Sequence, residues 1–200
     1  LSDGATISQV KKVTGEVNMK KILVLTGSPR KNGNTDKMAD AFEKGAQAAG
    51  HETIRFEAGK KNVGGCHGCN GCWSNNHACC RKDDFWELEP LLESCDALAI
   101  ITPLYWLSFP AQLKAPIDKL YAYGGEGGTR PMTIQESCFM VSGELGPEDK
   151  EYEMLKETYR QIAVFENWKD RGILVAGGYG QAGIESTDAL VRAEEMGRKF

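Results

Sequence analysis

Five of the chain's seven cysteines fall in one short run, GGCHGCNGCWSNNHACC, from Gly64 to Cys80. Two histidines, His67 and His77, lie among them. Thiolate sulfur binds iron and zinc well, and short spacings allow one loop to surround a metal centre. The run is therefore a candidate metal site, a redox centre made of thiols, or a structural loop rich in cysteine.

The spacing alone leaves these three interpretations open. Glycine precedes each of the first three cysteines, and such a backbone can fold closely around an inorganic core. Zinc could use the same thiols with either histidine, although structural zinc sites more often pair two separated C-x2-C units. The thiols could also be free and partly buried, since cysteine behaves as a small hydrophobic residue. Cys95 and Cys138 lie beside or within apolar segments and are expected in the core.

A second candidate site is the segment TGSPRKNGNT at positions 26–35, which joins a buried strand to the start of a helix. Its two glycines allow tight turns, and its hydroxyls and backbone N–H groups can hold a phosphate at the helix N-terminus. Arg30 and Lys31 add positive charge. The alternative is an ordinary turn in which Thr35 caps the helix.

A third candidate is TPLYWLSFP, which begins at Thr102 and follows another buried strand. Tyr105 and Trp106 lie beyond the strand end, where aromatic side chains can flank a flat ring while the backbone binds its polar edge. The alternative is a hydrophobic plug or a subunit interface. A second stretch expected near such an interface is the glycine-rich segment at positions 124–130.

The elements that must position these segments alternate between strand and helix five times. This order predicts an α/β fold, an open doubly wound sheet of five parallel strands in the order 2-1-3-4-5, with helices on both faces. Pro90 is expected to divide the second helix, and Pro116 to kink the third or lie in its first turn. Strands are predicted at 20–26, 51–57, 96–102, 137–142 and 172–176, and helices at 35–49, 83–94, 112–123, 148–168 and 188–199.

Size and charge restrict the class of protein. The 200 residues suit one domain, predicted at 19–200, preceded by a flexible N-terminal extension at 1–18. A net charge of −4 disfavours nucleic acid as a partner, and no apolar run is long enough to cross a membrane. Seven cysteines without a secretory signal predict a cytoplasmic protein. His51 opens the second, more polar strand, which is expected at the sheet edge, and is itself expected on the surface.

Three motifs together, SPRKNGNT, TPLYW and FPAQLKAPIDK, resemble the NADPH-dependent FMN reductase and iron–sulfur flavoprotein family, which has a flavodoxin-like fold. The resemblance extends from about residue 19 to the end. It implies that the first loop binds the FMN phosphate, the PLYW loop binds the isoalloxazine ring, and the loop after the fourth strand adds contacts. The residues expected to bind FMN are Ser28, Arg30, Asn34, Thr35, Pro103, Leu104, Tyr105, Trp106, Ser142, Gly143 and Glu144.

The same resemblance bears on the cysteines. Iron–sulfur flavoproteins hold a [4Fe–4S] cluster with a compact run of four cysteines, and this implies Cys66, Cys69, Cys72 and Cys79 as ligands here. Cys80 makes the fourth ligand ambiguous. Relatives of similar spacing bind FMN without a cluster, so the occupancy stays open.

The resemblance implies an FMN-dependent oxidoreductase that passes electrons from NAD(P)H through the flavin to a quinone, a nitro- or azo-compound, or another small acceptor. No side chain is predicted as an acid–base catalyst. One alternative is a non-enzymatic electron carrier of the flavodoxin or iron–sulfur flavoprotein kind, and another is a zinc-stabilised interaction module. A homodimer or homotetramer is expected, with neither nucleic acid nor a membrane as partner.

Overall fold

The computed structural model describes residues 19–124, 130–177 and 183–200, so the predicted extension at 1–18 and most of the 124–130 segment lie outside the described residues. Five parallel strands form one sheet in the order β2-β1-β3-β4-β5. The predicted sheet order is confirmed, with β2 at one edge. The strands are β1 Lys21–Thr26, β2 Glu52–Glu57, β3 Ala97–Pro103, β4 Glu136–Ser142 and β5 Lys169–Ala176.

Helices cover both faces of the sheet, as predicted. Alternate residues of β1 face opposite layers: Ile22 and Val24 pack with α1 and α5, whereas Leu23 and Leu25 pack with α2, α3 and α4. Within the described ranges, none of the helices is long and apolar enough to cross a membrane. The helices are α1 Asn34–Ala48, α2 Phe85–Leu92, α3 Ala111–Asp118, α4 Glu153–Phe165 and α5 Ala189–Arg198.

The layer made by α1 and α5 depends on glycine at the helix crossing. A Cβ atom on Gly45 would lie 1.9 Å from the carbonyl oxygen of Glu194, and one on Gly197 would lie 2.1 Å from that of Phe42. Neither position has room for a side chain unless the helices separate. The two helices therefore approach each other backbone to backbone near the C-terminal end of α1.

Both prolines lie inside helices, and the predicted division of α2 at Pro90 was wrong. α2 passes through Pro90 without dividing, because the proline costs one hydrogen bond near the end of a short helix while Leu88 and Leu92 stay buried in the core. Pro116 is the sixth residue of α3, so it does not lie in the first turn, and the kink expected there stays a prediction. α3 then tightens into a 3-10 turn, Lys119–Ala122.

The last long helix is also shorter than predicted. A 3-10 turn, Lys150–Tyr152, precedes α4, and the helix ends at Phe165. Asn167 adopts a left-handed conformation with φ of 56°, and the N–H of Trp168 donates to the carbonyl of Ala163. The chain turns there into β5, which begins three residues earlier than the sequence predicted.

The expectation that His51 lies on the surface was wrong. Its side chain is buried, and its Nδ1 accepts a hydrogen bond from the backbone N–H of Lys20 at 3.2 Å. Burial lowers the pKa of His51, and the nearby Lys20 charge lowers it further. Both cysteines expected in the core, Cys95 and Cys138, are fully buried, as predicted.

Candidate functional site

A cavity of about 560 Å³ opens at the carboxyl ends of β1, β3 and β4. This volume lies in the range of small-molecule and cofactor sites. All eleven residues predicted to bind FMN line it: Ser28, Arg30, Asn34, Thr35, Pro103, Leu104, Tyr105, Trp106, Ser142, Gly143 and Glu144. The structure therefore brings together three loops that are far apart in sequence. That these residues contact FMN stays a prediction.

The loop after β1 forms one end of the cavity and is held by its own hydrogen bonds. The N–H of Arg30 donates to Ser28 Oγ at 3.2 Å, and the N–H of Asn32 donates to Asp36 Oδ2 at 2.9 Å. Asn32 has a left-handed backbone with φ of 54°, a conformation that asparagine tolerates better than most residues. Lys60 lies 3.5 Å from Asp36 Oδ2 and balances its charge.

Three buried hydroxyls line this end of the cavity, from Ser28, Thr35 and Ser142. The hydroxyl oxygens of Thr35 and Ser142 lie 3.3 Å apart, so they join the start of α1 to the end of β4. The alternative in which Thr35 caps the helix is not what the structure shows. Gly33 occupies the N-cap position and makes no side-chain capping bond. The first turn of α1 thus begins beside these hydroxyls, as in an anion site at a helix N-terminus.

An aromatic turn forms the mouth of the cavity. The backbones of Tyr105 and Ser108 exchange two hydrogen bonds, of 3.1 and 3.0 Å, around Trp106 and Leu107. Both central residues have positive φ, 44° and 65°, which is costly for bulky side chains. The Trp106 side chain is 98% exposed. A strained turn that holds an indole in solvent is typical of a surface that covers a ligand or a second subunit.

The loop after β4 closes the third side. The N–H of Leu104 donates to the carbonyl of Ser142 at 2.8 Å, which ties this loop to the aromatic turn. A Cβ atom on Gly143 would lie 2.5 Å from Tyr152 Oη, and this hydroxyl donates to the carbonyl of Leu145 at 3.0 Å. Tyr152 therefore holds the loop in place and requires glycine at position 143.

Sequence reasoning missed three residues that line the cavity: Gly33, Leu107 and Leu145. Leu107 directly follows Trp106, and Leu145 directly follows Glu144. Extending each predicted set of FMN contacts by one residue would have found both. Tyr152 lies in a different element, and no local pattern pointed to its role.

The cysteine run lies between β2 and α2 and forms a separate small pocket of about 30 Å³. All five thiols of the run line it, together with Lys119 and Tyr121. Cys72 and Cys79 are half-buried against the core, whereas Cys66, Cys69 and Cys80 are exposed. This pocket and the larger cavity share none of the residues that line them.

A buried ion pair holds the base of this loop. Lys119 Nζ lies 2.5 Å from Asp83 Oδ2, and Asp83 also accepts hydrogen bonds from the N–H groups of Gly64 and Phe85, each at 2.9 Å. Burial alone would raise the pKa of Asp83, but the hydrogen bonds from Lys119 and the two backbone groups outweigh it and lower that pKa. The carboxylate therefore stays charged and joins both ends of the loop to the 3-10 turn after α3.

The thiols differ in their electrostatic surroundings. A hydrogen bond from the backbone of Gly71 lowers the pKa of the Cys69 thiol, and the neighbouring Cys80 lowers it further. The Sγ atoms of Cys69 and Cys80 lie 3.7 Å apart. Burial raises the pKa of Cys72.

The described side chains do not form a ready-made site for a single metal ion, and the zinc alternative stays untested. In the part of the chain that the structure describes, no three His, Cys, Asp or Glu side chains converge as they would around one metal ion. His77 is engaged elsewhere: its Nδ1 lies 3.1 Å from Glu89 Oε2, and its ring stacks on Trp86 with centroids 3.7 Å apart. A cluster has several irons, which spread the ligand sulfurs apart, and five thiols around one pocket match the donor chemistry of an iron–sulfur site.

The chain is similar in sequence to proteins named iron–sulfur flavoproteins. An iron–sulfur flavoprotein of Archaeoglobus fulgidus is 39% identical over 104 residues, which are 52% of this chain and 47% of the relative. An iron–sulfur flavoprotein of Methanosarcina thermophila is 32% identical over 99 residues, 50% of this chain and 51% of the relative. The chain spans about half the length of the curated relatives it matches.

Solved structures share the fold. An NAD(P)H:quinone oxidoreductase from Methanothermobacter marburgensis superposes with a TM-score of 0.71 at 22% identity, covering 90% of this chain and 96% of that one. An azoreductase from Bacillus anthracis gives 0.67 at 18% identity, covering 91% and 100%. The sheet order, the helices on both faces and these likenesses establish a flavodoxin-like fold. The family model for NADPH-dependent FMN reductases matches residues 20–144, and the chain belongs to that family.

Proposed function

We propose that this protein is an FMN-dependent oxidoreductase that takes electrons from NAD(P)H and passes them to a quinone or another small acceptor. The observation that carries the proposal is the convergence of all eleven predicted FMN residues on one cavity at the carboxyl edge of the sheet. Ligands of open α/β sheets bind at that edge. Names of relatives, a quinone oxidoreductase and an azoreductase among them, support the class of acceptor.

The polar end of the cavity suits the FMN phosphate. Ser28, Thr35 and Ser142 offer buried hydroxyls beside the start of α1, whose dipole favours an anion. Arg30 lines the same end and supplies positive charge. In this proposal the hydroxyls donate to phosphate oxygens, and the contact between the hydroxyls of Thr35 and Ser142 keeps both side chains in position.

The aromatic end suits the flavin ring. Tyr105 and Trp106 line the cavity beyond β3, and the backbone from Pro103 onward offers hydrogen-bonding groups to the polar edge of the ring. Bound FMN supplies the two-electron chemistry itself. The chain's own residues bind the phosphate and orient the ring, and Trp106 shapes the face that the acceptor approaches. We assign no acid–base catalyst.

The cysteine pocket is proposed to hold a [4Fe–4S] cluster on Cys66, Cys69, Cys72 and Cys79. Its five thiols supply the ligand type, and Arg81 lines the pocket and adds positive charge beside such a centre. Protein prepared anaerobically should contain about four irons per chain and show broad absorbance beneath the flavin bands. Iron near zero after anaerobic reconstitution, with FMN bound, would leave the run as a thiol-rich loop without affecting the flavin assignment.

We further propose that the chain forms a homodimer or homotetramer. Two exposed apolar surfaces support this: the turn carrying Trp106 and Leu107, and the outer face of α4 with Met154, Val164 and Phe165. Sedimentation at micromolar concentration should show a species larger than 21.9 kDa. A monomer at that concentration would count against the proposal, and Phe165→Asp should produce one if α4 forms the interface.

One experiment tests the oxidoreductase proposal directly. The purified protein, loaded with FMN, is mixed with NADPH or NADH and a soluble benzoquinone, and nicotinamide absorbance is followed with time. Steady turnover, lost when FMN is removed and restored when it is added back, supports the proposal. Bound flavin that nicotinamide does not reduce would instead favour the electron carrier.

A further inference from the structure

We propose that Cys69 and Cys80 are a redox-active pair that forms a reversible disulfide in the metal-free chain. A small-molecule disulfide of the glutathione type introduces the bond, and a dithiol removes it. The inference concerns the thiols alone and does not depend on the flavin. It also gives a role to Cys80, which the four-cysteine pattern leaves unused.

The first observation is geometric. The two Sγ atoms lie 3.7 Å apart, against about 2.0 Å in a disulfide, so a small side-chain movement brings them to bonding distance. Both residues are exposed, whereas Cys72 and Cys79 of the same run are half-buried. Exposure gives a small-molecule disulfide access to either sulfur.

The second observation is that the fold itself holds the two thiols together. Gly68 and Asn70 both have positive φ, 62° and 56°, so the chain turns sharply on each side of Cys69. The hydroxyl of Tyr121 donates to Asn70 Oδ1 at 3.3 Å, and the Trp73 and Tyr121 rings lie 4.8 Å apart. These contacts fix the segment that carries Cys69 to the 3-10 turn after α3.

Independent contacts fix the other segment. Ala78 is buried, and the carbonyl of Cys79 accepts a hydrogen bond from Trp86 Nε1 at 3.0 Å. Cys80 then reaches across Gly71, where a Cβ atom would lie only 2.5 Å from Cys80 Sγ. Glycine at position 71 is therefore the reason that the sulfur of Cys80 can lie beside that of Cys69.

The chemistry is a balanced thiol–disulfide exchange. One thiolate of the pair attacks a sulfur of the small disulfide RSSR, which forms a mixed disulfide and releases one RS⁻. The second thiolate then attacks the protein sulfur of that mixed disulfide and releases the other RS⁻. The two cysteines lose two electrons and two protons, and RSSR gains them as two RSH.

The pair has a consequence for metal loading, which rests on the proposed cluster. Cys69 belongs to the predicted ligand set, so a disulfide with Cys80 leaves three of the four thiolates. Oxidation of the pair would then oppose assembly of the cluster, and a dithiol would restore it.

The test uses the full chain, freed of metal with EDTA, reduced with a phosphine and exposed anaerobically to oxidised glutathione. Remaining thiols are alkylated, and tryptic peptides are mapped by mass spectrometry for the linked partners. We expect a dominant link between positions 69 and 80, lost in Cys80→Ser and retained in Cys66→Ser. Gly71→Ala keeps every thiol but displaces Cys80, and should slow formation of the link about tenfold or more.

Two outcomes would overturn the inference. One is a wild-type chain that stays fully reduced, or carries only glutathione adducts, at glutathione potentials that oxidise ordinary vicinal dithiols. The other is a mixture of links among the five thiols that Gly71→Ala does not change. Circular dichroism of each variant verifies that it is folded, so that loss of the link reports on the pair.

Discussion

The most direct test of the phosphate assignment is Thr35→Val, which replaces a hydroxyl by a methyl group of nearly the same size. Thr35 is only 3% exposed and is the second residue of α1, where its hydroxyl lies 3.3 Å from Ser142 Oγ. If this hydroxyl donates to the FMN phosphate, its removal costs a hydrogen bond to a charged group, about 1.5–3 kcal/mol.

The burial of Thr35 places the expected value in the upper half of that range, because little water can replace the lost donor. A loss of about 2–3 kcal/mol corresponds to a dissociation constant for FMN raised about 30- to 150-fold. The assay is a titration of the apoprotein with FMN, followed by quenching of flavin fluorescence. Riboflavin has the same ring without the phosphate, and we expect its affinity to change by no more than about twofold.

Thr158→Val is the matched control. Thr158 also lies in a helix, where its hydroxyl donates to the carbonyl of Met154 at 2.8 Å on the exposed side of α4, away from the cavity. This variant should bind FMN as the wild type does. The reasoning fails if Thr35→Val binds FMN normally, or if FMN and riboflavin weaken by the same factor, since the phosphate would then not be the partner.

Two further predictions concern the scaffold. Gly45→Ala should lower the unfolding free energy by about 3 kcal/mol in urea titration, because the new Cβ would lie 1.9 Å from a backbone oxygen of α5. Gly65→Ala is the control: a Cβ at that position has no atom within 4 Å, so the unfolding free energy should change little. Asp83→Asn should lower the unfolding free energy by about 3–5 kcal/mol at neutral pH, because it leaves the buried Lys119 charge unpaired. Asp118 lies in an exposed ion pair, so Asp118→Asn should lower the unfolding free energy little. The folded pKa of Asp83 lies below its ordinary value of 3.8, so its contribution is present above that pH and is lost as the pH falls. The difference between Asp83→Asn and wild type should accordingly shrink below about pH 4, and a difference that stays constant would contradict this account.

Local patterns were sufficient for the order of strands and helices, because each element has its own periodicity and the βαβ rules leave few arrangements of five units. They were also sufficient for the three loops of the cavity, since parallel strands bring their carboxyl ends to one edge. Cys95 and Cys138 could be assigned to the core because they lie beside or within apolar segments, and both are fully buried.

The positions of the helix ends and the burial of a few residues could not be predicted from local patterns. His51 follows a glycine and opens a polar strand, and only the approach of Lys20 from another part of the chain explains why it is buried. Pro90 was expected to divide α2, yet core packing on both sides of it outweighs one missing hydrogen bond.

The composition of the cysteine run is enough by itself to indicate a thiol centre. The composition does not show which of these thiols are neighbours in space. Cys69 and Cys80 are eleven residues apart, and their contact depends on Tyr121, on Trp86 and on the missing side chain of Gly71. Likewise, Thr35 and Ser142 are 107 residues apart and meet only where α1 passes the end of β4. A sequence determines such pairs through the whole set of long-range contacts, so they become visible only when the chain is folded.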